Sequence, residues 1–452
     1  MPGGFGFFDR RKRLSREDQM KSKFGQLLLG GCLAVAVALP ASAETITVWS
    51  RQTDQSISVL KAITDAFTKE TGIKVETFNS GIDFEQRLAR AAAARQLPDV
   101  VINDSSQVGS MRQMGILDPI DRTKLAGWKD VSDIAWQSAQ DGQGKYYAVP
   151  ISAQAFALFV RKDWREKLGL PVPKTWDDMR KLAEAFTHDD PDGNGKADTF
   201  GLAIPASTTR GYASWYMSHF LWQAGGGYLK KTKDGFLPIL NTPEDAKALS
   251  FVRGLICDGL AQPGAVNATT GDTLPTFRSG QTGMLIDGPY DLGQIAKEPG
   301  LDKTEVDMLP AGPSGVAALA EGTSAYMLKG TTDKAAVMKF LDFLISPEGQ
   351  KIGMNVGSDV TPLVRLPVNT TMDVLKIRKD PRWKVYQDTF LNYGHYMPAV
   401  PDWTSIRLLT GDGFNAILSQ CQSDIPAQLA DLNTKVAAEL KKQGVLDPSY
   451  KE

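Results

Sequence analysis

Only three of the 452 residues are cysteine and three are histidine. Their spacing makes no HExxH helix and no zinc-like Cys/His pair, and a G-x-S-x-G nucleophile elbow is also absent. Metal hydrolysis and serine-type acyl transfer therefore have no visible machinery. The cysteines beyond residue 43 are Cys257 and Cys421; two are too few for a disulfide scaffold, and a bridge between them and a pair of free thiols are both open. Charge of one sign is also lacking. With 51 Lys+Arg against 52 Asp+Glu, interspersed along the chain, the net charge is −1, and no basic footprint for a nucleic acid exists. No fixed-period repeat, no low-complexity linker and, after residue 40, no apolar run of membrane-spanning length occurs. What remains is 42% apolar and 23% charged, the composition of an ordinary globular protein large enough for two lobes.

The N-terminus carries the first specific pattern. From Met20, basic Lys21 and Lys23 precede the apolar run FGQLLLGGCLAVAVAL, then Pro40 and Ala41-Ser42-Ala43. This is the three-part grammar of a cleaved secretory signal. The run is about 16 residues, short of the roughly 20 that span a bilayer. Removal of residues 1–43 and a periplasmic location are expected, with residues 1–19 outside the grammar and Met20 a candidate true start. RRKRL faintly resembles a twin-arginine signal; LGGC before Cys32 resembles a lipidation site, but the apolar run continues past it. Processing removes seven basic and three acidic residues, leaving a mildly acidic exported chain.

Alternating elements follow. TITVWS (45–50) reads as a strand and 58–72 as a helix, with Val59, Leu60, Ile63, Ala66 and Phe67 on one face and Gly72 as its stop. IKVETFN (73–79) is a strand, 84–96 a helix, and 98–104 a strand buried on both faces. The β-α-β-α-β order predicts a parallel sheet wrapped by helices. Ligands of such sheets bind at the strands' carboxyl ends, here Trp49-Ser50-Arg51, Asn79-Ser80 and Asn103-Asp104-Ser105. An aromatic plate with amides, hydroxyls and a carboxylate suits a polyhydroxylated ligand. Trp49 as core and the polar groups as turn formers or caps fit the spacing equally well. Further on, strands are expected at 155–160, 200–205 and 282–290, and helices at 175–186, capped by Thr175, and 241–256, with Thr242 capping and Pro243 in the first turn.

DPDGNGKADTFG (190–201) resembles a calcium loop: Asp190, Asp192, Asn194 and Asp198 fall at positions 1, 3, 5 and 9, Gly195 takes the turn, and Lys196 could lend its carbonyl. Position 12, which calls for a bidentate Glu, is Gly201, and a strand follows where an EF-hand would place a helix. A structural calcium and an Asx-rich surface turn are the two readings; no cofactor is otherwise expected.

Five segments in order, YAVPISAQAFALFVRKD (147–163), WQAGGGYL (222–229), GMLIDGPYDLG (283–293), FLDFLISPEGQ (340–350) and GHYMPAVPDW (394–403), resemble the carbohydrate-binding branch of the extracellular solute-binding proteins of ABC importers (family 1, maltose-binding-protein-like). The similarity covers nearly all of the chain beyond residue 43. It implies an α/β, periplasmic-binding-protein type II fold, with two lobes of mostly parallel sheets joined by hinge crossovers around a cleft. Residues 44–153 plus 314–364 would form one lobe and 154–313 plus 365–452 the other, the helices from Asp380 onward packing mainly on the second. Crossings are expected near 153–155, 310–318 and 362–370. The implied partners of this monomer are a sugar and the permease subunits of an importer in the inner membrane.

Carried over position by position, the resemblance replaces a hinge-adjacent carboxylate with Gln154, keeps an aromatic after Gly-Pro as Tyr290 and a platform as Tyr216, and puts Arg407 at a late aromatic position. The inferred cleft holds Trp49, Arg51, Asp54, Asn103, Asp104, Gln154, Trp215, Tyr216, Asp287, Tyr290, Glu321, Arg365, Trp403 and Arg407. Aromatics would stack on sugar rings while polar side chains grip hydroxyls. A neutral sugar is the first expectation, and the arginines leave room for a uronate, a sulfonate or a glycerol phosphate. A secreted glycoside hydrolase, with two carboxylates such as Asp104 and Asp287, is the enzymatic alternative; peptide and iron binding are more distant.

Overall fold

The computed structural model describes residues 44–51, 54–141, 144–357 and 361–451. The expected signal segment, 1–43, lies outside them. Among the described residues no helix is long and apolar enough to cross a membrane.

Twelve strands form among the described residues: β1 Thr45–Ser50, β2 Lys74–Asn79, β3 Val100–Asp104, β4 Val149–Ala155, β5 Ala157–Arg161, β6 Phe200–Ala203, β7 Leu229–Lys231, β8 Phe236–Pro238, β9 Thr282–Asp287, β10 Thr304–Asp307, β11 Ala318–Met327 and β12 Gly394–His395. The first sheet runs β12-β11-β3-β1-β2, with β4 also on β11. Its β1–β2 and β1–β3 pairs are parallel, as the β-α-β-α-β order requires, whereas β11 lies antiparallel to both β3 and β4. The second sheet runs β10-β5-β9-β6; β6 and β9 are parallel, and β5 is antiparallel to both β9 and β10. β7 and β8 make a separate hairpin.

The single strand expected over 155–160 is divided. β4 belongs to the first sheet and β5 to the second, with Phe156 alone between them. The chain returns between β10 and β11, and the backbones of Ala153 and Leu366 exchange hydrogen bonds of 3.0 Å. Phe156 is fully buried, its ring edge-on to Trp215 at 4.7 Å and 5.4 Å from His219. His219 Nδ1 in turn accepts from the Leu319 N–H of β11 at 3.0 Å. One helix, Tyr212–Ala224, thus holds both crossing segments.

Each sheet has its own apolar core. Val48, Phe67, Ile102, Trp136, Val149 and Phe340 are among the residues of the first, and Val160, Phe186, Leu202, Phe220, Met284 and Phe414 of the second. Helices Trp403–Ser419 and Ile425–Lys442 pack into the second core. Helix Arg382–Tyr393 departs from the expectation for everything beyond Asp380, because Trp383, Tyr386 and Phe390 join the first core together with inward residues of β5 and β9. Cys257 and Cys421 form a disulfide that ties the end of helix Pro243–Cys257 to the chain just after helix Trp403–Ser419.

Local chemistry sets the helix starts. Thr175 accepts from the Asp178 N–H while Asp178 accepts from the Thr175 N–H, a capping box that opens helix Trp176–His188. Thr242 caps helix Pro243–Cys257, with Pro243 in its first turn, where a missing N–H costs nothing.

Candidate functional site

A cleft of about 420 Å³ opens where the carboxyl ends of β1 and β3 meet β4, β11 and helix Tyr212–Ala224. Its volume is within the roughly 300–1,000 Å³ usual for small-molecule sites. A hollow of about 780 Å³ lies beside it and shares only Tyr290 with its lining; the chain just after β9 reaches it, but no strand end of the first sheet does. The strand-end cleft is the site that the topology builds.

At its first wall, Arg51 follows β1 and Asp104 ends β3. Arg51 Nη1 reaches both Asp104 oxygens, at 3.0 and 2.8 Å, and its Nε lies 3.5 Å from Glu85. The Asp104 carbonyl accepts from Tyr326 O–H at 2.7 Å, so both ends of this residue are fixed.

The floor comes from the β4–β11 register, which sets Gln154 opposite Glu321. Gln154 Nε2 donates to Glu321 Oε2 and Trp215 Nε1 to Oε1, each at 3.2 Å. Burial raises the Glu321 pKa, while Arg407 and these two donors oppose the shift. Gly322 completes this part of the lining.

The opposite wall carries Arg210, Tyr212, Trp215, Thr270, Tyr290 and Arg407. Arg210 sits in the left-handed region at φ 52°, immediately before Gly211 at φ 69°. A Cβ on Gly211 would lie 2.7 Å from the Arg407 carbonyl oxygen and 2.8 Å from its Cγ; that close approach lets Arg407 lie along the turn. Burial lowers the Arg407 pKa, and the Glu321 charge offsets part of this. Thr270 Oγ1 donates to Tyr212 Oη at 3.2 Å. The Arg365 guanidinium lies 5.3 Å from the Tyr290 ring centroid, a cation–π contact. Its backbone is pinned, since its N–H donates to Ser152 Oγ at 3.0 Å and its carbonyl accepts from Arg378 Nη2 at 3.2 Å.

The structure thus gathers Arg51, Asp104, Gln154, Trp215, Tyr290, Glu321, Arg365 and Arg407 around one cavity. Trp403 lines a small recess that shares Ser105, Ser106 and Glu321 with it. Four expected residues lie elsewhere. Trp49 points away from the buried side of β1 and packs on Phe78 at 5.0 Å. Asn103 is buried, and its Oδ1 accepts from the Asp104 N–H at 2.8 Å. Tyr216 is fully buried in the second core, so it offers no platform. Asp287 is fully buried behind Tyr290, where its Oδ1 accepts from Tyr290 O–H and from the Gly288 N–H. The neighbouring Asp291 is pushed well above the carboxylate range by burial and by the Asp287 charge. The side chain of Asp54 lies outside the described residues. Ser105 belongs to the strand-end set expected from the sequence, whereas Ser106, Arg210, Tyr212, Thr270 and Gly322 escaped the sequence reading; the signal for Arg210 and Tyr212 was the glycine between them, a turn marker just ahead of a helix.

The 190–198 loop closes on itself. Asp190 accepts from the N–H groups of Gly193, Asn194 and Gly195, and Asn194 Nδ2 donates to Asp192 at 2.7 Å and to Asp198 at 3.2 Å. An amide N–H₂ thus stands between the two carboxylates, and Lys196 is positioned by its N–H on Asn194 Oδ1. Lys167 Nζ donates to the Asp190 and Pro191 carbonyls. A Glu at position 201 is barred, because a Cβ there would lie 2.4 Å from Ala183 Cα. These residues fit a hydrogen-bonded brace between helix Trp176–His188 and β6, and they do not form a calcium cage. No group of three or more His, Cys, Asp or Glu suited to a metal occurs among the described residues.

Comparison with known proteins agrees with this geometry. The family model described as bacterial extracellular solute-binding protein matches residues 52–351. A binding protein of Brucella abortus (strain 2308) is 28% identical over 433 residues, covering 92% of this chain and 98% of that one. The maltotriose-binding protein of Pyrococcus abyssi is 24% identical over 316 residues, 67% of this chain and 63% of that protein. Among solved structures, the GacH receptor of Streptomyces glaucescens superposes with a TM-score of 0.75 at 19% identity, covering 90% of this chain and 100% of that one, which establishes the two-lobe periplasmic-binding-protein type II fold. The chain belongs to the bacterial extracellular solute-binding proteins, which hold a solute and do not convert it.

Proposed function

We propose that the protein captures a carbohydrate in the cleft between its two sheets and delivers it, from the periplasm, to the permease subunits of an ABC importer in the inner membrane. The observation that carries this reading is the pairing of aromatic rings with polar groups around one cavity. The rings of Tyr212, Trp215 and Tyr290 line the cavity, as apolar surface against which the C–H groups of a sugar can pack, and Asp104, Gln154 and Glu321 stand beside them with charged or amide groups for its hydroxyls. A ligand between the walls gains from both lobes at once, so binding favours closure, and the closed form is the one a permease would recognise.

A thermal-shift panel of mono- and oligosaccharides, with binding constants by calorimetry for those that respond, tests the reading. At least one sugar should raise the melting temperature in a concentration-dependent manner. A response to amino acids, peptides or metal ions alone would overturn it.

A further inference from the structure

We propose that the ligand of this cleft is an anionic carbohydrate, its carboxylate or phosphate group held by Arg210, Arg365 and Arg407. The inference rests on the carbohydrate reading above and narrows its chemical class.

Four guanidinium groups line the cavity, against the carboxylates of Asp104 and Glu321. Arg51 and Asp104 neutralise each other through two contacts within 3.0 Å. The other three arginines have no ion pair among the described residues. Glu321 is the one remaining carboxylate of the lining, and its two oxygens are taken by the neutral donors Gln154 and Trp215. The next acids, Asp287 and Asp291, do not line the cavity. They are buried behind Tyr290 and carry a shared excess of proton affinity, so even with one negative charge on this pair the cations remain in surplus.

The hydrogen-bonding record points the same way. Nε of Arg365 and Nε of Arg407 are both shielded from solvent without a partner. Leaving a buried donor unsatisfied is costly, more so when it is charged. Arg365 is preset over Tyr290, and Arg407 lies along the Gly211 turn that also projects Arg210. The groups are thus organised before any ligand arrives. Lobe closure would remove water from three cations of like sign. A neutral sugar could occupy some of their N–H groups but would leave the repulsion; a carboxylate or phosphate satisfies both, with the paired geometry that guanidinium offers planar or phosphate-like anions.

Matched pairs test this: galacturonate against galactose, and glucose 6-phosphate against glucose, titrated calorimetrically into the purified protein at two salt concentrations. The anionic member of at least one pair should bind about 100-fold tighter than its neutral counterpart, the preference weakening with salt, and the preferred pair tells carboxylate from phosphate. Arg365→Gln and Arg407→Gln should each weaken the anion by about 30-fold or more, because each leaves the ligand charge short of a partner, and should weaken the neutral counterpart by a clearly smaller factor, so that the anion preference falls. Exposed Arg210 supplies a variant that does not disturb packing, and Arg210→Asn, tolerant of the left-handed turn, should reduce the preference in a protein with unchanged melting temperature. Equal or tighter binding of the neutral sugars overturns the anionic assignment and leaves the carbohydrate reading standing. If no sugar of either kind binds, the carbohydrate reading falls, and this inference with it.

Discussion

The bridge between Cys257 and Cys421 closes a loop of sequence separation 164. In the chain-entropy treatment, a loop of that length restricts the unfolded state by about 5 kcal/mol at 25 °C, the upper end of what such bonds deliver. Spread over the unfolding entropy of about 400 residues melting together, this amounts to about 6 °C in Tm. If the second lobe melts alone, the same free energy is divided by a smaller entropy and the shift grows to about 10 °C. The Cys257→Ser/Cys421→Ser double variant, compared with the parent by scanning calorimetry, measures the shift and tells the two melting modes apart. Titration of the denatured exported protein with a thiol reagent should find no free thiol before reduction. Two thiols before reduction, or a double variant within about 1 °C of the parent, would refute the bridge and the arithmetic built on it. The bond also braces the far end of helix Trp403–Ser419, which carries Trp403 and Arg407, so ligand affinity near the melting transition should fall in the double variant before it falls in the parent.

Gly211→Val places a branched side chain at positive φ against Arg407, and should destabilise by about 1–3 kcal/mol while weakening ligand binding; unchanged Tm and Kd would refute the role given to the turn. Two buried groups set opposite pH slopes. His219 is held neutral by burial, its pKa lowered from 6.5 to about 3, so its share of the stability is complete above pH 6.5 and is lost as pH falls toward 3. Burial raises Asp245 from 3.8 to about 7, so its share is complete below pH 3.8 and is lost as pH rises to 7. Asp245→Asn removes the second slope, and its Tm advantage should grow between those values and level off above them; a constant offset at every pH would refute the assignment. Adding EDTA and then calcium should move Tm by less than about 1 °C, because the 190–198 loop is already closed by its own hydrogen bonds; a calcium-dependent rise of several degrees would show that Asn194 yields its place to an ion.

The first lobe was largely readable because its helices and strands carry strong periodic signals: the apolar face from Val59 to Phe67 and the buried run Val100–Ile102 leave little choice. The second sheet was less so. β10 is four residues long; the strand expected over 155–160 takes in only Ala155 of β4 and runs across Phe156, because nothing in the pattern marks that residue as the place where the chain changes sheets. Within the site, strand ends were easier than helix faces. Arg51 and Asp104 follow from where β1 and β3 stop. Trp49 failed on parity, since Ile46, Val48 and Ser50 take the buried side of β1. Tyr216 failed because helix Tyr212–Ala224 is buried nearly all round; without a polar face, no periodicity distinguishes the cleft side, where Trp215 lies, from the core side. Arg210 depends on a left-handed backbone, which composition does not encode.

The helix from Tyr212 to Ala224 has mechanical standing as well. It grips Phe156 at one crossing through Trp215 and His219, and Leu319 at the other through His219, while the same Trp215 indole forms part of the cleft wall. It is therefore a fulcrum with a contact at the load. Under the proposed closure, a ligand that pulled on the indole would pull on the pivot, and a bend at the pivot would reposition the indole, joining sensing and movement through one lever arm only a few side chains long.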